Sequence, residues 1–305
     1  MPDRTVTTVI DPDRCICCGE CVRVCPSRTL TLHDGKAVVT GDRSLGCGHC
    51  AAVCPAEAVR VEALDPESHR FRTFACRGEW LPYGGCDPGE LVRLMASRRS
   101  CRCFEERPVD REVLEDLVRI GATAPSGTNS QLWTFTVLPD RAAVMMLGDA
   151  VGAFFKRLNR MAANPLLRHG LRLIGRPELA GYFRDYYQSV SEGIADWEVR
   201  GRDRLFHGAP AAILVGSRPG ASCPAEDALL ATQNILLGAH ALGLGSCLIG
   251  FAVSAMQKDG RIQEALNIPR EEPVHAVIAL GYPSVIYQRL AGRRKAAVRF
   301  VERGS

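Results

Sequence analysis

Seven cysteines near the N-terminus have the spacing to hold metal: Cys15, Cys18, Cys21 and Cys25 with Pro26 directly behind, then Cys47, Cys50 and Cys54 followed by Pro55. The first group reads C-x2-C-x2-C-x3-C-P. Three thiolates from one tight loop can grip three irons of an iron–sulfur cube, while the fourth cysteine turns away to a second cube. On that reading cluster one takes Cys15, Cys18, Cys21 and Cys54, and cluster two takes Cys47, Cys50 and Cys25. The second copy has a defect, because Ser44 stands where the pattern wants cysteine. Three readings are open: Ser44 ligates through oxygen, the second cluster is a three-iron species, or another thiol substitutes, Cys17 being the nearest spare. The expectation is an intact [4Fe-4S] cluster one and a cluster two that is [4Fe-4S] or [3Fe-4S]. Four-cysteine zinc sites usually come as two well-separated CxxC pairs, which fits less well. A disulfide framework fits worse still in a chain that otherwise looks cytosolic. His49, inside the second loop, could hydrogen-bond a cluster sulfur, but the commoner role is a solvated loop residue.

The chain that must position these thiols has 305 residues, which suits two domains better than one. Residues 1–62 form a cysteine-rich head, too short for a large apolar core and therefore stapled by its metals. Residues 63–88, punctuated by Pro66, Pro82, Gly84 and Gly85, read as a linker. Cys76 and Cys86 lie in it and are expected to be buried bystanders. Residues 89–305 are ample for an ordinary globular core. The net charge of +4 is modest and its arginines are scattered, giving no case for nucleic acid. No apolar run approaches a transmembrane length, and the first residues lack the apolar stretch of a signal peptide. Fourteen cysteines without a secretion signal imply a reducing compartment, with cytoplasm the natural location.

Periodicity places the elements. Thr29–Leu32 and Ala37–Val39 read as a hairpin around Asp34-Gly35, and Val59–Val61 as the matching strand of the second half. A helix is expected from Pro88 or Gly89, carrying Leu91, Leu94 and Met95, and another from about Asp110 to before Pro125. Trp133–Leu138 alternates as a half-buried strand. Helical segments are expected over 140–163, and one longer helix over 178–200 with a stripe from Leu179 to Trp197. Ala211–Val215, Ser246–Ile249 and Val274–Leu280 read as strands. The nearly all-apolar helix Ala225–Leu242 belongs at the centre of the domain. The arginine-rich tail from Tyr282 has little periodicity and must either wander or lie against something else.

Arg98, Arg99, Ser100 and Arg102 form a candidate anion site, since guanidinium forks and a hydroxyl suit the oxygens of a phosphate. Alone, a solvated basic turn would be the better reading. The company of Pro125-Ser-Gly-Thr-Asn-Ser-Gln131, Trp133, Gly243-Leu-Gly-Ser-Cys-Leu-Ile-Gly250 and Arg293-Arg294-Lys295 changes that. Together, over roughly residues 90–300, these motifs resemble the nitroreductase family of FMN enzymes, and the head resembles a two-cluster bacterial ferredoxin. The resemblance implies an α+β fold, with a small ferredoxin-like domain followed by a mixed, mostly antiparallel sheet wrapped by helices. It further implies a domain-exchanged homodimer with FMN at the subunit interface and a C-terminal arm crossing to the partner. By resemblance, Arg98, Arg99, Ser100 and Arg102 bind the FMN phosphate and ribityl chain. Arg294 completes the phosphate site, with Arg293 as the alternative register. Pro125, Ser126, Gly127 and Asn129 pack on the flavin from the other subunit, and the backbone of Leu248, Ile249 and Gly250 faces the ring. Cys101, Cys103 and Cys247, inside these motifs, read as packing.

Flavins perform hydride and one-electron chemistry themselves while the protein binds and orients, so the lack of a catalytic triad is unsurprising. Iron–sulfur clusters move single electrons, and a cluster domain fused to a flavin domain is a one-to-two electron converter. Electrons are expected to pass from the clusters to FMN and out to a small organic acceptor such as a nitroaromatic, quinone, activated alkene or organohalide. The donor is either a redox protein such as reduced ferredoxin or NAD(P)H, which needs no separate Rossmann site in this family. The rival from another class is an electron carrier that serves a protein partner without turning over a small molecule. An open cavity over the flavin argues for the enzyme and a plugged one for the carrier.

Overall fold

The computed structural model describes residues 3–302. The head runs β1 (Thr8–Ile10), α1 (Glu20–Arg23), β2 (Leu30–His33), β3 (Lys36–Val39), α2 (His49–Ala52) and β4 (Val59–Val61). β2 and β3 make the expected hairpin, and Asp34 and Gly35 both take positive φ (48° and 76°), as a two-residue type I′ turn requires. β4 forms as expected, but its partner is β1, a three-residue strand with no periodicity of its own to announce it. The two halves repeat each other closely. Gly19 and Gly48 both precede their short helices in the left-handed region (φ 73° and 75°). The Thr29 N–H donates to Cys25 Sγ at 3.4 Å and the Ala58 N–H to Cys54 Sγ at 3.2 Å. The head core is small: Leu30, Ala37, Val59 and Val61 are buried together with the thiols of Cys21 and Cys50.

The segment after β4 has no regular structure until α3 (Pro88–Ser97), which Asp87 caps by accepting the Glu90 N–H at 2.9 Å. Its buried tie to the body is one carboxylate, and Arg119, Glu112 and Glu115 add exposed contacts to Glu67 and Arg72. Asp116, fully buried on α4 (Arg111–Ala122), accepts from the Arg72 and Thr73 N–H groups and from Thr73 Oγ1. Cys76 and Cys86 are exposed, contrary to expectation. The segment offers no core to cover them, and Trp80, Leu81 and Tyr83 beside them are exposed as well.

The body continues with β5 (Trp133–Leu138), α5 (Arg141–Ala163), α6 (Pro165–Leu173), α7 (Glu178–Asp185), α8 (Tyr187–Arg200), β6 (Ala211–Ser217), α9 (Pro224–Ala241), β7 (Gly245–Leu248), α10 (Gly250–Met256), α11 (Arg261–Glu264) and β8 (Val274–Gly281). Its sheet has the order β5-β6-β8-β7 with antiparallel neighbours throughout. The one parallel pairing among the described residues is the isolated bridge from Ser100 to Ser246. One face of the sheet buries Leu114, Leu117, Ala231 and Ile235 of α4 and α9; the other buries Leu147, Val151, Ala252 and Met256 of α5 and α10. The central place of α9 follows from its small residues. A Cβ on Gly238 would lie 2.8 Å from the end of the Ile120 side chain of α4, so glycine lets the two helices approach without moving it. The single helix expected over 178–200 is two. Tyr186 leaves helical geometry (φ −131°) while its ring packs edge-on to Phe251, and a periodic stripe carries no mark of such a break.

Candidate functional site

In the head, Cys25, Cys47, Cys50 and Ser44 line one small cavity, walled by Thr8, Leu30 and Val61. Cys15, Cys18 and Cys21 form a second group close enough to feel one another's charge, as Cys50 feels Cys47 and Cys25. Burial, reinforced by those neighbours, pushes the Cys21 and Cys50 thiols up. Burial would also raise Cys25, but N–H groups, that of Thr29 first, outweigh it and leave the thiol below its ordinary value. Cys15 is lowered chiefly by hydrogen bonds from the Ala37 and Cys17 backbones. N–H groups aimed at sulfur favour thiolates, the form that ligates iron. Two groups of thiols, Cys15, Cys18 and Cys21 in one and Cys25, Cys47 and Cys50 in the other, with N–H groups aimed at sulfur, suit the separate corners of iron–sulfur cubes.

At the irregular corner, the Ser44 N–H donates to the Arg4 carbonyl at 2.8 Å, and Ser44 Oγ accepts the Gly46 N–H at 3.0 Å. Cys17 does not line this cavity. It sits in the other half of the head, its sulfur 3.8 Å from where a Cβ on Gly35 would lie. His49 is exposed at the start of α2.

In the body, the segment Arg98–Arg102 runs along β7. The Cys101 N–H donates to Ser246 O at 2.9 Å, and a Cβ on Gly245 would sit 2.7 Å from that of Cys101, so glycine allows the two chains to lie flush. β7 then delivers Leu248, Ile249 and Gly250 to a cavity of about 710 Å³, which Arg102 also lines. A Cβ on Gly250 would meet nothing within 4 Å, leaving room for a bound group against the backbone. Arg98 is half-buried and its pKa is lowered, first by burial and then by the nearby charges of Arg293 and Arg99. Among the described residues none of Arg98, Arg99, Arg102, Arg293 and Arg294 has a carboxylate in ion-pair reach. Guanidinium groups gathered without counter-charge fit a phosphate monoester. Arg293, rather than Arg294, is the tail residue facing Arg98. Cys101 and Cys247 are buried, their thiols pushed up by burial, in line with a packing role. Cys103 is exposed instead, because its carbonyl is what engages the fold, accepting the Ser284 N–H at 3.0 Å.

Pro125, Ser126, Gly127 and Asn129 are gathered elsewhere. Their loop does not line the cavity of Leu248–Gly250 in the same chain. Buried Asp227, in the first turn of α9, fixes it by accepting the Gly127 N–H at 2.8 Å and Ser130 Oγ–H at 3.2 Å. Gly127 is required by close approach, since a Cβ would lie 2.8 Å from Cys223 Sγ. Thr128, Asn129 and Gln131 all take positive φ (53°, 55° and 49°). The Asn129 side-chain amide faces the head, donating to the carbonyls of Leu45 (3.0 Å) and Gly46 (3.2 Å).

Several cavity residues had no marker in the sequence. His207, Arg204, Tyr182, Tyr186, Phe251 and Lys258 line it from loops and from the helices α7 and α10. His207 is held below its ordinary pKa, first by burial; Asp203 opposes this, while Arg102 and Arg204 add to it. Tyr182 is pushed up to about 12 by burial, and its hydroxyl donates to Asn159 Oδ1 at 2.6 Å. Only the stripe over 178–200 hinted at this wall.

Residues 95–282 match the model of the nitroreductase family, and residues 7–55 match that of the 4Fe-4S dicluster domain. The 4-nitrobenzoate reductase of Nocardioides sp. (strain LMS-CY) is 27% identical over 203 residues, 62% of this chain and 78% of that enzyme. The iodotyrosine deiodinase of Haliscomenobacter hydrossis is 37% identical over only 70 residues, 20% of this chain and 32% of that enzyme. Among solved structures, an FMN-bound nitroreductase from Desulfitobacterium hafniense DCB-2 superposes with a TM-score of 0.51 at 22% identity, covering 70% of this chain and 98% of that one. No helix among the described residues is long and apolar enough to cross a membrane.

Proposed function

The chain belongs to the nitroreductase family, and on that premise we propose that it is an FMN-dependent oxidoreductase whose iron–sulfur head feeds single electrons to the flavin for reduction of a small organic acceptor. The observation that carries the reading is the uncompensated cluster of Arg98, Arg99 and Arg293 beside the segment that ends in Leu248, Ile249 and Gly250. Arg98, Arg99, Ser100, Arg102 and Arg293 would hold the FMN phosphate and ribityl chain. The Leu248–Gly250 backbone would meet the ring without filling its substrate face. Bound there, FMN supplies exchange between one-electron and two-electron chemistry. The rest falls to the chain. Phe155, Tyr182, Tyr186 and Phe251 wall the cavity with aromatic rings that can stack a planar acceptor and exclude water. Lys258, which has no carboxylate partner among the described residues, suits a negatively charged substituent, whereas Arg204 is already paired with Asp196 and Glu192. His207, kept neutral near pH 7, can hold or pass a proton at the same wall.

In the head, Cys15, Cys18, Cys21 and Cys54 would bind one [4Fe-4S] cluster, and Cys25, Cys47 and Cys50 a second, with Ser44 or no protein ligand at its last corner. A cavity left over the ring once FMN is bound would favour the enzyme over the carrier. A homodimer is supported by the tail after β8, where Ile286, Phe300 and Val301 are exposed in the single chain and want a partner surface. A thiol-rich head suits the reducing cytoplasm. The test is chemical and spectroscopic: iron and flavin per chain, EPR of the reduced protein, then nitroaromatic, quinone and halophenol acceptors with NAD(P)H or reduced ferredoxin. Stoichiometric FMN, eight or seven irons on the cube chemistry and acceptor-dependent turnover are expected. Zinc in place of iron, or no bound flavin after reconstitution, would overturn it.

A further inference from the structure

The contact between head and body favours one of the two clusters. Among the described residues, the side-chain hydrogen bonds joining the first 62 residues to the body all fall at the cluster-two corner. Asn129 Nδ2 donates to Leu45 O and Gly46 O, and an Arg4 guanidinium nitrogen donates to Thr128 O at 3.1 Å. Arg4 belongs to the same corner, because its carbonyl accepts the Ser44 N–H. Gly46 is bonded directly to Cys47, and both line the cluster-two cavity. On the body side the loop is pinned by Asp227 to α9, which packs on β7, the strand leading to Leu248–Gly250. The cluster-one loop, by contrast, meets solvent: Cys17 and Cys18 are exposed, and Ile16 between Cys15 and Cys17 is 62% exposed.

From this asymmetry we propose that Asn129 is a positioning residue that makes cluster two the exit of the head, with cluster one the port for a low-potential one-electron protein donor. The proposal rests on the electron-relay reading above. In each step the donor loses one electron to cluster one, cluster one passes one to cluster two, and cluster two passes one to FMN. Two such steps, with protons from solvent, complete the two-electron reduction. The amide of Asn129 holds the Ser44–Cys47 loop against the body, so cluster two would sit at the hydrogen-bonded junction of head and body.

Asn129→Asp separates donation from size. Aspartate tolerates the same left-handed backbone but offers no N–H to the two carbonyls. The holoprotein is examined as N129D and as Arg4→Ala, with FMN content measured in each. Hydrogen exchange over residues 44–48 should rise at least tenfold in N129D and less in R4A, while the equivalent cluster-one residues 15–19 do not change. Flavin bleaching by dithionite-reduced ferredoxin, per bound FMN, should slow about tenfold in N129D. The EPR signal of cluster two should shift in N129D and that of cluster one should not. Exchange and bleaching in N129D equal to the unmodified protein, or equal loosening of both loops, would overturn the proposal. If the unmodified protein passes no electrons from cluster to flavin, the relay reading itself fails, which is a different result.

Discussion

The head and the body of this protein are held together by different means. In the head, two of the six side chains of the buried core cluster are cysteines, Cys21 and Cys50, expected to be ligands. Its architecture is two copies of one short motif, with Gly19 matched by Gly48 and Cys25 by Cys54, and little else is buried. In the body, two cores flank a four-stranded sheet, and β6 is buried along its whole length. On the proposed reading the head depends on what it binds and the body on what it buries. The body's candidate binding site is marked in the opposite way, by charge left unpaired at Arg98, Arg99 and Arg293.

Perturbations that act on one part and spare the other test this difference. Stripping iron, or Cys21→Ala, should unfold the head, since about sixty residues sustain little core of their own. Limited proteolysis should then cut within residues 3–62 and spare the sheet; a head that stays resistant would contradict the contrast. Ile235→Ala, in the core between sheet and α4, should cost about 2–5 kcal/mol in denaturant unfolding of the body, with iron content unchanged. Arg98→Ala should weaken FMN binding about ten- to a hundredfold by loss of charge-assisted bonds, read by flavin fluorescence, with iron again unchanged. Asp116→Asn should cost about 1–3 kcal/mol, because it turns a donor toward the N–H groups of Arg72 and Thr73; protease sensitivity near residue 72 reports it. The smallest effect is that of pH. Burial holds His207 and His275 below the ordinary value of 6.5. The unfolded chain takes up protons there that the native state refuses, so thermal stability should be level above pH 6.5 and decline as pH falls below it.

The same contrast governs what could be read in advance. Metal chemistry imposes residue spacing, so the cysteine loops, the hairpin at Asp34-Gly35 and the irregular corner at Ser44 were legible. Continuous apolar runs made β6, β8 and α9 legible, and the arginine motif together with its companions pointed to a candidate phosphate site. Three features were not. β1 is three residues long and exists only because β4 is there to pair with it. The break at Tyr186 is a tertiary contact with Phe251 rather than a local signal. His207 joins the cavity through a loop at positive φ (58°), and nothing in the residues around it announces that placement. The opposite error occurred in the linker, where Cys76 and Cys86 look like core residues by type but have no core to join.

One anaerobic experiment bears most directly on the claim that the head supplies the flavin. The reduced holoprotein is mixed with a nitroaromatic acceptor while cluster EPR and flavin absorbance are followed together. The flavin should reoxidise first and the clusters after it, in step with acceptor consumed. Acceptor turnover with cluster signals that never change would contradict the account.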